Sequence, residues 1–544
     1  MILTPWPMSK KKRQRIEVDP VELAAIVERT RGALGAGDFT KLKAAMDTLA
    51  FLTAELQAKG TSIARLRKLL FGALTEKTRD VLKCAGGKPA GRPGAEQEEK
   101  GKRPGHGRNA ASAYTGATRK KVPHASLQGG SACGGCLKGK VYPMEEPAVL
   151  VRVTGMAPLA ATVWECDRLR CNLCGEVYTA QAPAEVGTEK YDESAAAMTG
   201  LLKYGTGLPF NRIEKLQGGL GVPLPASTQW ELVKDAAEKL EPVFQELINE
   251  AAQSDVLHND DTTMKVLDLS KEQLAAAAAG AEEKRTGVYT SGVIAITGAR
   301  AIALFFTGRQ HAGENLADVL KRRGATLKAP VQMSDALAAN TAGDFKSILA
   351  NCLSHARRGF VDVVNDFPEE CRVVLETLRE VYRTDAFAKE ESLTPVERLA
   401  LHQRESGPRM KELEGWLQAQ FAERKVEPNS GLGAAIKYMR KHWLKLTLFL
   451  REPGAPLDNN ICERALKKAI LHRKNALFYR SENGARVGDT FMSIIHTVEL
   501  CDGNPFDYLV ALLRHHELAA EEPASWLPWN YLQALNHLRA PSAP

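Results

Sequence analysis

Residues 256–262 read VLHNDDT, a run in which apolar residues lead directly into two adjacent carboxylates. Two later acids occupy comparable positions. Asp335 follows a short apolar stretch, and Glu463 lies in the run 457–464, LDNNICER, at the predicted start of a basic helix. We expect strand ends and a helix start to bring Asp260, Asp335 and Glu463 together beside an α/β layer.

Three carboxylates within a few ångströms repel one another, so each must raise its pKa or be neutralised by a positive group. Divalent cations remove this cost, because Mg²⁺ prefers oxygen ligands and is usually held by one or two carboxylates and a substrate phosphate. Two such ions about 4 Å apart stabilise both the attacking and the leaving oxygen of a phosphoryl displacement. The three acids therefore predict a site for two Mg²⁺ or Mn²⁺ ions that acts on nucleic acid.

Glu463 also has a simpler explanation, which the sequence leaves open. Asn460 and Glu463 have the spacing of a capping box, in which the glutamate bonds back to the residue at the start of a helix. The run 458–464 is more elaborate than a cap requires, and this favours a functional glutamate.

The chain of 544 residues is long enough for roughly three or four domains. Its hydrophobic fraction of 44% and charged fraction of 25% are ordinary for a globular protein and indicate no function. The net charge is +8, and the basic residues fall in separate clusters, which predicts several contacts with a polyanion, although each cluster alone is more often solvated surface. The predicted DNA contacts are Arg357, Arg358, Lys467, Lys468, Arg473 and Lys474.

Targeting signals are absent from the pattern of apolar residues. No stretch reaches the roughly 18 uninterrupted apolar residues of a membrane helix. The basic run 10–15 is not followed by the long apolar segment of a secretory signal. These patterns predict a cytoplasmic protein, in which ten cysteines would not form a disulfide framework.

Four of the cysteines form two CxxC pairs, Cys133 with Cys136 and Cys171 with Cys174. Paired CxxC turns supply the four thiolates of a tetrahedral zinc site, and the intervening residues suit the strands of a zinc ribbon. We expect one structural Zn²⁺ ion in a ribbon at residues 113–186, with redox-active or free cysteines as the alternative. The spacer is longer than usual, so a long hairpin is expected between the pairs.

The region 1–83 combines a basic arm with a heptad repeat of apolar residues. The repeat positions are Leu42, Leu49, Leu56, Ile63 and Leu70. This spacing is typical of a coiled coil and predicts a homodimer or higher oligomer, whereas a helix packed on its own domain is the alternative. Residues 84–112 are rich in Gly and Pro and are expected to form a flexible linker.

The remainder divides into a helical region, an α/β domain and a helical tail. Residues 187–253 are predicted helical, and within them 210–230 have a helix-turn-helix pattern whose second helix would enter a DNA groove, although any bundle offers the same pattern. The α/β prediction comprises strands at 256–268, 288–297 and 301–307, a helix at 311–323, a strand from Val331, and a helical insertion at about 364–450. The catalytic domain is assigned to 254–483 and the C-terminal helical segment to 484–544.

Taken together, these segments resemble the DDE transposases of insertion-sequence family 66. Residues 257–262 are similar to the family's first catalytic motif, 352–360 to its CxxHxRRxF element, and 458–464 to its glutamate motif. The paired CxxC turns resemble its zinc-binding domain. Residues 259–262 read NDDT where the family commonly has ADET.

The resemblance implies an RNase H-like core in which Asp260, Asp335 and Glu463 are the first, second and third acids. It implies a bacterial, nucleoid-associated enzyme that binds the ends of an insertion sequence and catalyses metal-dependent strand cleavage and strand transfer, with accessory proteins of the same element as further partners. Two other functions remain open from the residues alone. One is an RNase H-like nuclease that does not join strands, and the other is a catalytically silent, zinc-containing DNA-binding protein.

Overall fold

The computed structural model describes residues 189–539 apart from 279–284, 286 and 344. Before residue 189 it describes short pieces only, namely 27–32, 35, 37–40, 42–43, 78, 81, 126, 128–131, 138–142, 157–170, 177–181 and 183. Residues 1–81 form one compact unit and 82–544 form another. The four CxxC cysteines, the heptad positions after Leu42 and the predicted linker 84–112 lie outside the described residues.

In the first unit, residues Thr30–Gly32 form a single 3₁₀ turn, and Lys43 Nζ lies 3.5 Å from Glu28 Oε1. The second unit opens with two short strands, β1 (Arg168–Arg170) and β2 (Val177–Thr179), which pair antiparallel.

A mixed five-stranded sheet forms the centre of the second unit. Its strands are β3 (Val256–Thr263), β4 (Tyr289–Thr297), β5 (Arg300–Gly308), β6 (Val331–Ser334) and β7 (Ile348–Asn351). They lie in the order β5-β4-β3-β6-β7. The pairs among β3, β4 and β5 are antiparallel, whereas β6 runs parallel to both β3 and β7. The sheet therefore has an antiparallel part, β5-β4-β3, and a parallel part, β3-β6-β7, which share β3.

Helices precede, cover and follow this sheet. They are α1 (Glu193–Gly200), α2 (Phe210–Gly219), α3 (Ala226–Ala252), α4 (Leu267–Ala278), α5 (Ala312–Leu320), α6 (Leu353–Asp362), α7 (Pro368–Glu390), α8 (Pro395–Ala422), α9 (Gly431–Lys441), α10 (Trp443–Leu446), α11 (Asn460–Ala476), α12 (Glu482–Leu500), α13 (Pro505–Arg514), α14 (His516–Glu521) and α15 (Tyr531–Arg539). Among the helices described, none is long and apolar enough to span a membrane.

The predicted strands are observed with one shortened boundary. β3 ends at Thr263, because the chain then turns to pair Val266 with Tyr479 and to donate the Leu267 amide to the Tyr479 carbonyl. The predicted insertion is also observed, since α7 to α10 all lie between β7 and α11 in the sequence. The insertion therefore separates Asp335 from Glu463 in the sequence without interrupting the sheet.

The predicted helix-turn-helix pattern corresponds to α2, a turn at Gly221 with φ of +79°, and α3. Helix α3 is 27 residues long, and it buries one complete face, including Val233, Leu240 and Leu247, in the main core. Its role in reading DNA stays a prediction. Only the opposite, exposed face of α3 would be available to contact DNA.

Helix α12 covers the edge strand β5 through polar side chains spaced by four residues. The backbone amides of Ala303, Phe305 and Thr307 donate to Thr497 Oγ1, Ser493 Oγ and Asp489 Oδ2, at 3.0, 2.9 and 2.7 Å. Four helical residues rise about 6 Å and two strand residues about 6.6 Å, so the two repeats match. The helix therefore satisfies the amides that an edge strand would leave free.

We expect Asp489→Ala to destabilise the protein by about 2 kcal/mol, because the half-buried Thr307 amide and hydroxyl both lose the acceptor that the buried Asp489 provides. The measurement is the midpoint of thermal or urea unfolding. Glu482→Gln, an exposed substitution on the same helix, serves as the control. An Asp489→Ala midpoint equal to that of the control would contradict this account of the edge.

Candidate metal centre

The register of the sheet aligns the residues of the candidate site in one row. Val256 is level with Val331 and Asp260 with Gly292. Extending the parallel register by two residues beyond the last β3–β6 pair sets Asp335 level with Asp260. Asp260 and Asp335 therefore lie side by side because β3 pairs with β6 in this register.

Asn340 joins the first two acids. Its Nδ2 donates to Asp335 Oδ1 at 2.6 Å and lies 3.3 Å from Asp260 Oδ1. Its carbonyl accepts hydrogen bonds from the side chains of Asn259 and Gln332, at 2.7 and 2.6 Å. A nearly fully buried amide thus holds both carboxylates from the side of the protein core.

Asn459 holds the start of the helix that carries Glu463 against β3. Its Nδ2 donates to the Asn259 carbonyl at 3.0 Å, and its Oδ1 lies 3.1 Å from His258 Nδ1. Its own carbonyl accepts the Glu463 amide at 3.1 Å. The fully buried Asn459 therefore ties the residue before Asp260, through its side chain, to the start of α11, through its backbone carbonyl.

The geometry around Asn459 also decides the capping-box alternative. Helix α11 has Asn459 as its N-cap without a side-chain cap bond. The Asn460 amide donates to Asp458 Oδ1 at 3.1 Å. The capping-box interpretation of Asn460 and Glu463 is therefore wrong, because Asp458 does the work that the glutamate would do in such a box.

Glycine at position 292 allows helix α11 to lie close to the sheet. A Cβ atom at Gly292 would come within 3.1 Å of Leu466 Cδ2 and 3.5 Å of Cys462 Sγ. The thiol of Cys462 lies 3.3 Å from the Gly292 carbonyl. The absence of a side chain opposite Asp260 is thus what brings the Glu463 helix over the same row.

Asp260 is placed where burial and neighbouring acids disfavour its charged form. The pKa of Asp260 is raised to about 7, mainly by burial and to a lesser degree by the charges of Asp335, Asp261 and Glu463, against the opposing effect of a hydrogen bond from the Asp261 amide. A carboxyl group in this position takes up a proton unless a cation compensates the crowded charge. Carboxylate oxygens are also the ligands that Mg²⁺ and Mn²⁺ prefer, so this donor set fits a divalent cation.

Asp261, the second acid of the pair in β3, is engaged elsewhere. Its Oδ2 lies 2.8 Å from His311 Nδ1 and 3.4 Å from the Ala312 amide. The His311 ring lies against Tyr289, with ring centroids 4.1 Å apart. Asp261 therefore anchors the start of α5, which separates its role from that of Asp260.

A cysteine, a histidine and Glu463 form a further cluster. Cys352, His355 and Glu463 have ligand atoms that all lie within 4.8 Å of one another. The sequence offered no partner for this CxxH pair and favoured a packing or orienting role for it. The partner comes from α11, more than 100 positions away in the chain, so spacing alone could not reveal it.

The basic residues that were predicted to contact DNA differ in their exposure and in the bonds they already make. Arg358, Lys467 and Lys474 are exposed, and Arg357 is half-buried. Lys468 Nζ lies 2.6 Å from Glu499 Oε2, and its side chain is only 19% exposed. Arg473 donates to Thr262 Oγ1 at 3.1 Å and to Thr263 Oγ1 at 2.7 Å, so it also secures the end of β3.

Sequence reasoning named the three acids but missed Asn340, Asn459 and Gly292. The doubled asparagine before Ile461 was a usable signal, because a helix cap does not need two amides in succession. Asn340 had no such signal, since it lies in a single 3₁₀ turn, Ala338–Asn340, whose position depends on the tertiary fold.

We expect Asp260→Asn to raise stability in the absence of metal, increasingly so at higher pH. The raised pKa means that the folded chain keeps a proton between about pH 4 and pH 7 that the unfolded chain releases, so stability falls as pH rises through this window. The Tm of the variant should exceed that of the wild type by on the order of 5 °C at pH 8, and by much less at pH 4.

The measurement is thermal unfolding at both pH values, first with EDTA and then with Mn²⁺ in place of EDTA. The cation should raise the wild-type Tm more than the variant Tm. If the Tm values of the two proteins changed with pH in the same way, the raised pKa of Asp260 would be contradicted.

The same residues lie within a region that is similar to known sequences. A profile described as "Transposase IS66 family" matches residues 189–487, which is more than half of the chain and includes all three acids. Two relatives from Sinorhizobium fredii carry the names "Uncharacterized protein y4jD" and "Uncharacterized protein y4hP". The first is 27% identical over 67% of this chain and 71% of its own length, and the second is 26% identical over 68% and 67%. With its sheet, its converging acids and this match, the chain belongs to the IS66 family of transposases.

Proposed function

We propose that this protein is a DDE-type DNA transposase in which Asp260, Asp335 and Glu463 hold two Mg²⁺ or Mn²⁺ ions. The observation that carries the proposal is the placement of Asp260 in a half-buried position beside Asp335 and within the electrostatic reach of Glu463, where burial and these charges raise its pKa to about 7. Structural ion pairs are neutralised by basic side chains, whereas Asp260 and Asp335 are held by the neutral amide of Asn340. Such an arrangement suits a bound cation rather than a salt bridge.

The core is proposed to be RNase H-like. Three antiparallel strands followed by two parallel ones, with the first strand in the middle of the sheet, support this assignment. The first acid then lies on the central strand and the second on its parallel neighbour. The long helical insertion separates the second acid from the third in sequence without interrupting the sheet.

The proposed reaction consists of two phosphoryl transfers without a covalent enzyme intermediate. Bound divalent ions would supply the charge that activates the attacking oxygen and stabilises the leaving one. In the first transfer, water attacks the phosphorus of the phosphodiester at the element end. The bond between this phosphorus and the 3′ oxygen breaks, which frees the 3′-hydroxyl. In the second, the freed 3′-hydroxyl attacks a target phosphodiester, which forms the new strand and releases the target's own 3′-hydroxyl.

The residues of this chain would prepare both steps by position and charge. Asn340 would orient the carboxylates of Asp260 and Asp335, and Asn459 would hold the start of α11, which carries Glu463, against β3. The exposed Arg358, Lys467 and Lys474 would contact phosphates of the DNA backbone, since such contacts set position rather than sequence preference. Arg357, on α6 just before the helical insertion, would join them, whereas Lys468 and Arg473 would act mainly by holding α11 and β3 in place.

The remaining parts are proposed from sequence. The heptad repeat that begins at Leu42 would pair two protomers, so that two element ends are handled together. Cys133, Cys136, Cys171 and Cys174 would hold one structural Zn²⁺ ion in a ribbon that takes part in DNA binding. Accessory proteins of the same element are further proposed partners.

The direct test incubates purified protein with labelled element-end DNA, a target plasmid and Mg²⁺. We expect strand-transfer products from the wild type and a loss on the order of 10³-fold for Asp260→Ala, because a ligand of the proposed ions is removed. Asp261→Asn is the matched control. It changes the neighbouring carboxylate, which pairs with His311, and should retain activity within about tenfold.

The other two functions predict different products in the same assay. Nicked DNA without joined products would identify a nuclease. Binding without any cleavage, unaffected by Asp260→Ala, would identify a silent DNA-binding protein. Equal losses in Asp260→Ala and Asp261→Asn would reject the assignment of Asp260 as the first acid.

A further inference from the structure

The thiol of Cys352 connects the starts of two helices beside the proposed centre. Cys352 is the N-cap of α6 and is fully buried, and its Sγ lies 3.2 Å from the Asn459 amide at the start of α11. The amide of Cys352 donates to the Ser334 carbonyl, and that of Leu353 donates to the Leu457 carbonyl, each at 3.0 Å. Helix α6 is therefore fixed both to the strand end before Asp335 and to the segment before α11.

This connection sets one side chain from each helix opposite the other. His355 lies in the first turn of α6, and Glu463 lies in the first turn of α11. The distance from His355 Nδ1 to Glu463 Oε1 is 3.6 Å. Two ligands of one ion bound at about 2.1 Å would be roughly 3.0 Å apart in the octahedral geometry of Mn²⁺ and roughly 3.4 Å apart in a tetrahedral one. The observed spacing is thus close to that of two ligands of a shared cation.

The Nδ1 atom of His355 has no other use within the described part of the chain. It is buried and has no hydrogen-bond partner there. A buried ring nitrogen without a partner loses the solvation it had in water, so its position requires a reason. A cation between His355 and Glu463 would supply one.

We propose that His355 provides a nitrogen ligand to the cation held by Glu463, so that this site prefers a transition-metal ion such as Mn²⁺ to Mg²⁺. The inference rests on the proposed function for the identity of the acid site. Mg²⁺ is a hard ion that selects oxygen ligands, whereas imidazole binds the later divalent ions more strongly. Cys352 acts as a support in this arrangement, because its buried sulfur already accepts the Asn459 amide.

The alternative role of His355 is to orient the Glu463 carboxylate without touching the ion. These two roles differ in ion selectivity. An orienting residue would strengthen Mg²⁺ and Mn²⁺ binding to the same degree, whereas a nitrogen ligand would strengthen Mn²⁺ binding more. The ratio of the two dissociation constants therefore separates them.

The experiment titrates the full-length protein with Mn²⁺, without DNA, and follows free Mn²⁺ by electron paramagnetic resonance. Mg²⁺ binding is measured by competition. Mn²⁺ is the suitable probe, because four-cysteine sites favour Zn²⁺ over harder ions. We expect His355→Ala to weaken Mn²⁺ binding about tenfold or more, and to leave Mg²⁺ binding within about threefold.

Two further variants sharpen the test. His355→Gln offers an oxygen in place of the ring nitrogen and should bind Mg²⁺ as the wild type does, while losing the preference for Mn²⁺. His496→Ala is the matched control, because His496 Nδ1 similarly lies 3.1 Å from a glutamate, Glu499 of the same helix. It should leave both constants unchanged.

Equal changes in Mn²⁺ and Mg²⁺ affinity, or no change in either, would overturn the inference. Circular dichroism of each variant establishes that the comparison is made on folded protein. The result is independent of the strand-transfer assay, since ion binding is measured without DNA. A protein that binds Mn²⁺ through His355 but does not join strands would reject the proposed function and leave this site standing.

Discussion

The structure depends on placing carboxylates that repel one another at one end of a sheet, where two buried asparagines tie together the segments that carry them. Asn340 joins Asp335 to Asp260, and Asn459 joins the strand of Asp260 to the backbone of Glu463. A neutral amide is suited to this position, because it donates to a carboxylate without cancelling its charge. The charge therefore remains for a cation, whereas lysine or arginine in the same place would have neutralised it.

The scaffold around these amides is arranged to keep α11 at a fixed distance from the sheet. Gly292 removes the side chain that would push the helix outward, and Cys352 fixes the start of α6 against the start of α11. On the far edge, α12 satisfies the amides of β5, so the sheet ends without a free edge there. Rigid elements on both sides give the three acids a defined geometry, which metal-assisted chemistry requires.

The sequence predicted much of this arrangement because its main signals are local. Strands at 288–297 and 301–307 followed from short β-rich runs joined at a glycine, and they are observed as Tyr289–Thr297 and Arg300–Gly308. The boundary of β3 was predicted too late, because its end depends on a distant bridge between Val266 and Tyr479. The capping box failed for a similar reason, since Asp458 competes for the amide that defines it.

The sequence by itself predicted which residues would carry chemistry, since carboxylates at strand ends and the resemblance to one transposase family are properties of the linear chain. Tertiary structure alone decided how those residues are held. The pairing of Cys352 and His355 with Glu463 joins residues more than 100 positions apart, and no local spacing encodes such a contact. The row that contains Gly292, Asp260 and Asp335 exists only because strand register aligns residues from three separate segments, and register is fixed by the packing of the whole sheet.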